Sequence, residues 1–352
     1  MRRSFPALKA WPDAAVSCIC LLTSRALRTT SVITVESDAG VFTSLVEELG
    51  VKGVQFEELF ELEASELTAL QPVYGVIFLF KYPTDEPYVR PDGPIDGVFD
   101  HAASERIFFA AQTIQNACAT QALLSVVMNR GDDMQDIGDA MLNFRDFTMP
   151  LPPEFRGEAL SNSDLIREVH NSFAKSSPFA DETQKDDDAA AEDAFHFIAY
   201  TAVNGTLYEL DGLQPAPIAH GPCDNKQFPA QVIRVIKRRV SRYNAAEIRF
   251  NLLAMCRDLR IRARDFGDED LREREEKKRR DWHFENALRR HNFVGLAGEV
   301  LQGVVEAKLK QGGDAAVDKW IEDGLKQLQD MEGRQRLTED AKRQNDGDVE
   351  MK

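Results

Sequence analysis

The sequence lacks the usual marks of a metalloenzyme, a membrane protein or a nucleic-acid binder. It has no CxxC pair and no HExxH, so the common structural and catalytic zinc sites are missing. No metal and no other cofactor is expected. No apolar run approaches the roughly 20 residues that a bilayer-crossing helix needs. Basic residues are outnumbered, with 43 Lys and Arg against 59 Asp and Glu. The net charge of −16 argues against nucleic acid and anionic membrane surfaces, and for a basic partner or substrate. Cysteine is sparse and odd in number: Cys18, Cys20, Cys118, Cys223 and Cys256. Their irregular spacing suits a reducing compartment better than a disulfide framework. Ser125 and Ser163 sit in no G-x-S-x-G frame, which speaks against a serine hydrolase.

What is present can build a large core. The chain has 352 residues, 43% of them hydrophobic, enough for one large domain with an appendage or for two domains. Its most informative stretch is QTIQNACATQALLSVVM, residues 112–128. Ala119, Ala122, Leu123, Val126 and Val127 recur at helical spacing. Asn116 stands just ahead, where a capping side chain belongs. Cys118 then falls in the first turn, where the positive end of a helix dipole favours a thiolate. Gln112, six residues upstream, can aim a side-chain amide at a carbonyl oxygen under attack. A lone cysteine on a helix is more often a small buried hydrophobe, so this stretch needs partners.

Those partners come about 80 residues later. AFHFIAYTAV (194–203) and TLYELDGL (206–213) flank Asn204-Gly205, a strong hairpin signal. A two-residue turn puts 203 opposite 206 and Ile198 opposite Asp211. His196 shares a face with Ile198, so His196 and Asp211 become diagonal neighbours within hydrogen-bonding reach. A cysteine at a helix start, with a His and an Asp on paired strands, is the constellation of a thiol hydrolase. Cys118 is the candidate nucleophile and His196 the general acid and base. Asp211 would orient the imidazole, and Gln112 would serve the oxyanion hole. His170 reads as structural. His101, His220, His283 and His291 have no comparable context.

The rest of the chain is read more coarsely. Residues 1–31 carry Arg2, Arg3, Lys9, Arg25 and Arg28 against the one acid Asp13, and read as a leader with little structure. Strands are expected at Ser31–Val35, Val73–Phe80 and Glu247–Cys256, the second of them covered on both faces. Helices are expected at Val41–Leu49, after Ser161–Asp164, and from Gln227 to Tyr243. The last of these has a solvated basic face of Arg234, Lys237, Arg238, Arg239 and Arg242. Pro and Gly make 83–100 a loop. Residues 175–193 hold seven acids and two lysines and read as a mobile acidic flap. Arg260–Arg290 is densely charged and helical, suited to a coiled coil or a partner.

These segments together resemble the ubiquitin C-terminal hydrolases, a family of papain-like cysteine peptidases. ESDAGVFTSLVEELG (36–50), PVYGVIFLFK (72–81), FFAAQTIQNACATQALLSV (108–126), ALSNSDLIREVHNSFA (159–174), EDAFHFIAY (192–200) and NGTLYELDGL (204–213) appear in the family's order. The resemblance places Cys118, His196, Asp211 and Gln112 at the nucleophile, general base, third triad member and oxyanion donor. It implies an α+β fold with α/β/α layers around a central, mostly antiparallel sheet, and a knotted chain. It implies a catalytic domain over 32–258, with 175–193 crossing the active site and suiting ubiquitin's basic tail. A helical partner-binding extension would cover 259–335, ahead of a disordered tail at 336–352.

ALRRHNFVGLAGEVL (287–301) looks most like the long, proteasome-associated branch of the family. The implied partners are ubiquitin conjugates and, through the extension, the adaptor domain of a proteasomal ubiquitin receptor, in cytoplasm and nucleus. The competing expectation is a ubiquitin-binding regulatory subunit of a proteasome or chromatin complex with little activity of its own. A third is another papain-type peptidase with an open cleft.

Overall fold

The computed structural model describes residues 35–326, except 83–87, 89–92, 115, 131–132, 135, 174–194, 244–248, 292–293 and 325. The expected leader (1–31), acidic flap (175–193) and tail (336–352) lie outside the described residues. So does most of the strand expected at Ser31–Val35, whose Val35 is buried but in no strand.

In chain order the elements begin with α1 (Ala39–Glu48), β1 (Val54–Glu58), α2 (Ala64–Ala69), β2 (Val73–Lys81) and β3 (Val98–Phe99). A 3-10 turn over His101–Glu105 leads towards α3 (Cys118–Arg130), α4 (Asp139–Thr148), α5 (Pro153–Asn162) and α6 (Asp164–Phe173). Then come β4 (Phe195–Val203), β5 (Thr206–Leu210), β6 (Ile218–Pro222), α7 (Phe228–Val240), β7 (Asn251–Arg257), α8 (Leu259–Phe266) and α9 (Glu269–Arg290).

The seven strands form one sheet in the order β1-β7-β2-β4-β5-β6-β3, and every ladder in it is antiparallel. The near-continuous apolar run of β2 has a simple cause. From Val76 on its side chains alternate between two cores, as a strand's must, and an irregularity between Val73 and Gly75 brings Tyr74 to the same side as Ile77. Tyr74 and Ile77 join one core with α1, α3 and α6, through Phe42, Leu45, Leu123, Val127 and Ile166. Val76, Phe78 and Phe80 join the other with α2 and α7, through Leu67, Val232 and Ile236. Helices therefore cover both faces of the sheet, the expected α/β/α layering.

Several boundaries differ from expectation. β1, β3 and β6 are strands that the pattern did not signal, and β3 falls within the loop expected at 83–100. β1 is only five residues long and has just two apolar ones, Val54 and Phe56, too short a run to stand out. The charged stretch 260–290 is two helices, broken where Gly267 takes a left-handed φ of 68°. Within the Ser161–Asp164 start, Ser163 caps α6 by accepting the Ile166 N–H at 3.4 Å, while Ser161 lies in α5 and bonds back to the Gly157 carbonyl. The Arg239 side chain of α7 is not solvated. It donates to Glu209 at 2.6 Å and to Tyr88 at 2.9 Å.

The chain divides into two compact units, the first ending at Arg290 and the second beginning at His291. Helix α9 belongs to the first. Its Asn286 donates to the Gly40 carbonyl and the Ser44 hydroxyl of α1, at 3.0 and 2.8 Å, and Trp282 packs against the core. The second unit contains α10 (Val294–Gly312) and a helical stretch over 314–324. Leu296, Val300 and Leu309 of α10 are exposed.

Candidate active site

The hairpin sets the site. Val203 pairs with Thr206, and the ladder continues residue for residue to Ala199 opposite Leu210. Asn204 and Gly205 take φ of 50° and 77°, the left-handed pair that a tight two-residue turn requires. β5 ends at Leu210, so Asp211 lies one residue past the ladder. It still meets His196 as the register predicts. His196 Nε2 lies 2.7 Å from Asp211 Oδ1, and both side chains are buried. The Leu213 N–H donates to the same Oδ1 at 3.0 Å.

Cys118 opens α3 and is buried. With Nε2 committed to Asp211, the imidazole has Nδ1 left for the thiol, and it interacts with Cys118 by hydrogen bond and by charge. Burial alone would strip the proton from His196. Asp211 first, then Cys118, outweigh burial and raise its pKa from 6.5 to about 9. Asp211 shows the complementary balance. Burial would raise its pKa, but His196, the Tyr88 hydroxyl and the Leu213 N–H hold it below 3.8.

Asn116 does not cap α3. It takes a left-handed φ of 70°, and Ala117 fills the position before the helix, its carbonyl accepting the Gln121 N–H at 2.9 Å. A residue in the left-handed region turns the chain sharply, and Asn tolerates it better than most. The approach to Cys118 is therefore a turn rather than a side-chain cap.

Gln112 is placed by an extended segment, Ile107–Gln112, that belongs to no strand. Its buried backbone must find partners elsewhere, and side chains of two helices, α3 and α5, supply them. Asn129 of α3 holds both the N–H and the carbonyl of Phe108, at 2.7 and 2.8 Å. Gln121, also of α3, donates to the Ala110 carbonyl at 2.6 Å. Arg156 of α5 is almost wholly buried and donates to the carbonyls of Ile107, Phe109, Thr148 and Met149. The Gln112 N–H then donates to the Gly212 carbonyl at 2.8 Å, joining this segment to the residue after Asp211. A Cβ at Gly212 would lie 2.0 Å from Gln121 Nε2, so a larger residue there would displace the amide that holds the Ala110 carbonyl. One helix thus carries Cys118 and, one turn on, the amide that fixes the approach of Gln112.

Cys118, His196 and Asp211 come together, and Gln112 lies on the segment hydrogen-bonded to the Asp211 loop. His170 is remote from them in role. Its Nδ1 lies 2.8 Å from Thr120 Oγ1, and burial lowers its pKa. His220 bonds Glu209 at 3.2 Å. The other described cysteines, Cys223 and Cys256, are free and buried, and burial raises the pKa of both thiols, that of Cys223 to about 11. The sequence reading missed Tyr88, Glu209, Arg239, Gln121, Asn129 and Arg156. Each acts through long-range hydrogen bonds that leave no local period.

Comparison with known proteins points to one family. The family model described as "Ubiquitin carboxyl-terminal hydrolase, family 1" matches residues 32–241, and a second, "Ubiquitin carboxyl-terminal hydrolases", matches 270–309. Ubiquitin carboxyl-terminal hydrolase 2 of Schizosaccharomyces pombe is 47% identical over 283 residues, covering 78% of this chain and 91% of that protein. Ubiquitin carboxyl-terminal hydrolase isozyme L5 of Dictyostelium discoideum is 36% identical over 326 residues, with the same coverage of 78% and 91%. The crystal structure of Trichinella spiralis UCH37 bound to ubiquitin vinyl methyl ester is similar at a TM-score of 0.54 and 30% identity, covering 73% of this chain and 98% of that one. The fold, the matched family model and these relatives together make the chain a member of the ubiquitin carboxyl-terminal hydrolase family.

Proposed function

We propose that this chain is a deubiquitinating cysteine peptidase that cleaves the peptide or isopeptide bond after the C-terminal glycine of ubiquitin. The observation that carries the reading is that His196 holds the Asp211 carboxylate at 2.7 Å and also interacts with the Cys118 thiol. His196 holds the thiol proton as an imidazolium, and the Cys118 thiolate attacks the glycine carbonyl carbon. The oxyanion that forms accepts hydrogen bonds from the Gln112 amide and from a backbone N–H at the start of α3. As the C–N bond breaks, His196 gives its proton to the leaving amine. His196 then takes a proton from water, whose oxygen attacks the thioester. Collapse releases ubiquitin's carboxylate and returns the proton to the Cys118–His196 pair. Asp211 stays ionised and keeps the ring in its working orientation.

The UCH37 relative is described bound to a ubiquitin vinyl ester, which supports ubiquitin as the partner here. We extend the proposal to a proteasome-associated protein of cytoplasm and nucleus. It would dock through α10 on the adaptor domain of a proteasomal ubiquitin receptor, using Leu296, Val300 and Leu309. The deciding test of the chemistry is mass-spectrometric mapping of the adduct formed with ubiquitin carrying a C-terminal alkyne. One adduct on Cys118, absent from Cys118→Ala, is expected. Binding of ubiquitin without an adduct would instead favour a regulatory subunit.

A further inference from the structure

The Asp211 carboxylate has two oxygens, and the triad accounts for only one. Oδ1 accepts from His196 and Leu213. Oδ2 accepts the phenol of Tyr88 at 2.5 Å. Tyr88 follows β2 in the chain and is itself buried. Its phenol oxygen accepts from Arg239 Nη2 of α7 at 2.9 Å. The other arm of Arg239 reaches Glu209 Oε1 at 2.6 Å. Glu209 Oε2 is held by Tyr200 at 3.0 Å and His220 at 3.2 Å.

The direction of every bond in this chain is forced. A guanidinium only donates, so the phenol must accept from Arg239. The phenol has one hydrogen, which leaves Asp211 as its acceptor. An ionised carboxylate only accepts, and Glu209 anchors the far end as one, with Arg239 and His220 holding its pKa down against burial. Burial and the nearby Asp211 charge keep the Tyr88 phenol protonated well beyond pH 10. The Tyr88 ring also walls the imidazole. It meets His196 edge-to-face at 5.8 Å, beside Phe80 at 5.8 Å and Tyr82 at 6.2 Å.

We infer that Tyr88 is a positioning residue for the thiol chemistry, clamping the second oxygen of Asp211 so that the carboxylate cannot turn away from His196, with the Arg239–Glu209 pair holding the clamp in place. The inference rests on the triad reading above. With Oδ2 pinned, Oδ1 stays aligned with Nε2, and Nδ1 is left aimed at Cys118. Without the phenol hydrogen, a buried carboxylate oxygen loses its partner. The carboxylate then rotates or takes up a proton more readily, and either change misaligns the ring.

Tyr88→Phe tests this, since it removes one oxygen and keeps the wall. Hydrolysis of a fluorogenic ubiquitin C-terminal amide is followed from pH 5 to 10 for wild type, Tyr88→Phe and Cys118→Ala. Tyr88→Phe is expected to lower kcat by about tenfold, the scale of a modest loss of alignment, with KM for ubiquitin substrate within about twofold. The groups facing Asp211 are His196, Tyr88, Tyr82, Arg239 and Glu209, with Cys118 beyond the ring. Loss of the Tyr88 bond lets the Asp211 pKa rise, so the acid limb of kcat/KM moves to higher pH. Arg239→Lys, which keeps a cation at Glu209 but lacks the second arm, is expected to shift the limb the same way. Alkylation of Cys118 by iodoacetamide across the same pH range gives a second readout that needs no ubiquitin. A Tyr88→Phe enzyme with wild-type kcat and an unmoved acid limb overturns the inference. So does a loss equal at every pH and matched by a rise in KM, which marks a structural role only. Turnover surviving in Cys118→Ala would instead sink the triad reading itself.

Discussion

His196 is held where burial would discharge it, between a carboxylate and a thiol and among three aromatic rings. Its proton is therefore tied to the folded state. The pKa rises from 6.5 in the unfolded chain to about 9 on folding, so the folded protein binds this proton more tightly. The resulting stability is complete below pH 6.5 and is lost as pH rises through about 9. Thermal melts of wild type and His196→Asn should differ most near pH 6.5, and the gap should close by about pH 10. A gap constant over that range would mean that His196 contributes packing alone. At this scale the sequence was informative, because the two-residue turn fixes the pairing arithmetic and the pairing fixes who can touch whom. Tyr88 was not legible. Its stretch of sequence has no period, and its partner Asp211 lies 123 residues away.

Elements with a period were readable, and the one that most shapes the site has none. The hairpin, β2, α3 and α7 all announce themselves by alternation or by helical spacing. The Ile107–Gln112 segment does not, because its hydrogen bonds go to Asn129, Gln121 and Arg156 rather than to a neighbouring strand. Its placement is tight as well as satisfied. The Ala111 N–H donates to the Pro153 carbonyl at 2.9 Å, and a Cβ at Gly157 would lie 2.0 Å from the Ala111 carbonyl oxygen. Gly157→Ala must therefore push this segment off α5. The cost expected is that of an overpacked core, about 1–3 kcal/mol in urea denaturation. Because Gln112 is the next residue, kcat should fall as well, even at temperatures where the variant is fully folded. A Gly157→Ala protein with wild-type kcat would show that Gln112 is not positioned through this contact.

At the scale of the whole molecule, the charged stretch before residue 290 poses the sharpest contrast between pattern and structure. By composition α9 looks like a helix for solvent or for a partner, since nearly every turn carries acids and bases. In the fold its charges pair with the first unit. Lys278 reaches Glu57 at 2.6 Å, Arg279 reaches Glu47 at 2.8 Å, and Arg289 reaches Glu36 and Asp38 at 3.0 and 3.1 Å. Arg290 reaches Glu48 at 2.5 Å and lies 3.9 Å from the Phe173 ring. Exposed pairs of this kind are each worth little. Together with Trp282 and the buried Asn286 they bind α9 to α1, and nothing local in the sequence names the acids that do so. Two truncations separate the roles. Ending the chain after Arg290 leaves the first unit whole, so its melting temperature and its hydrolysis of a ubiquitin amide should stay near the full-length values, while docking attributed to α10 is lost. Ending it after Asp268 removes α9, uncovers the α1 face and strands Glu57 and Gln55 without Lys278 and Glu275. That chain should melt many degrees lower or fail to accumulate as soluble protein. Equal melting temperatures for the two truncations would make α9 the partner-binding helix that its composition suggests, and would move the end of the catalytic unit back to α8.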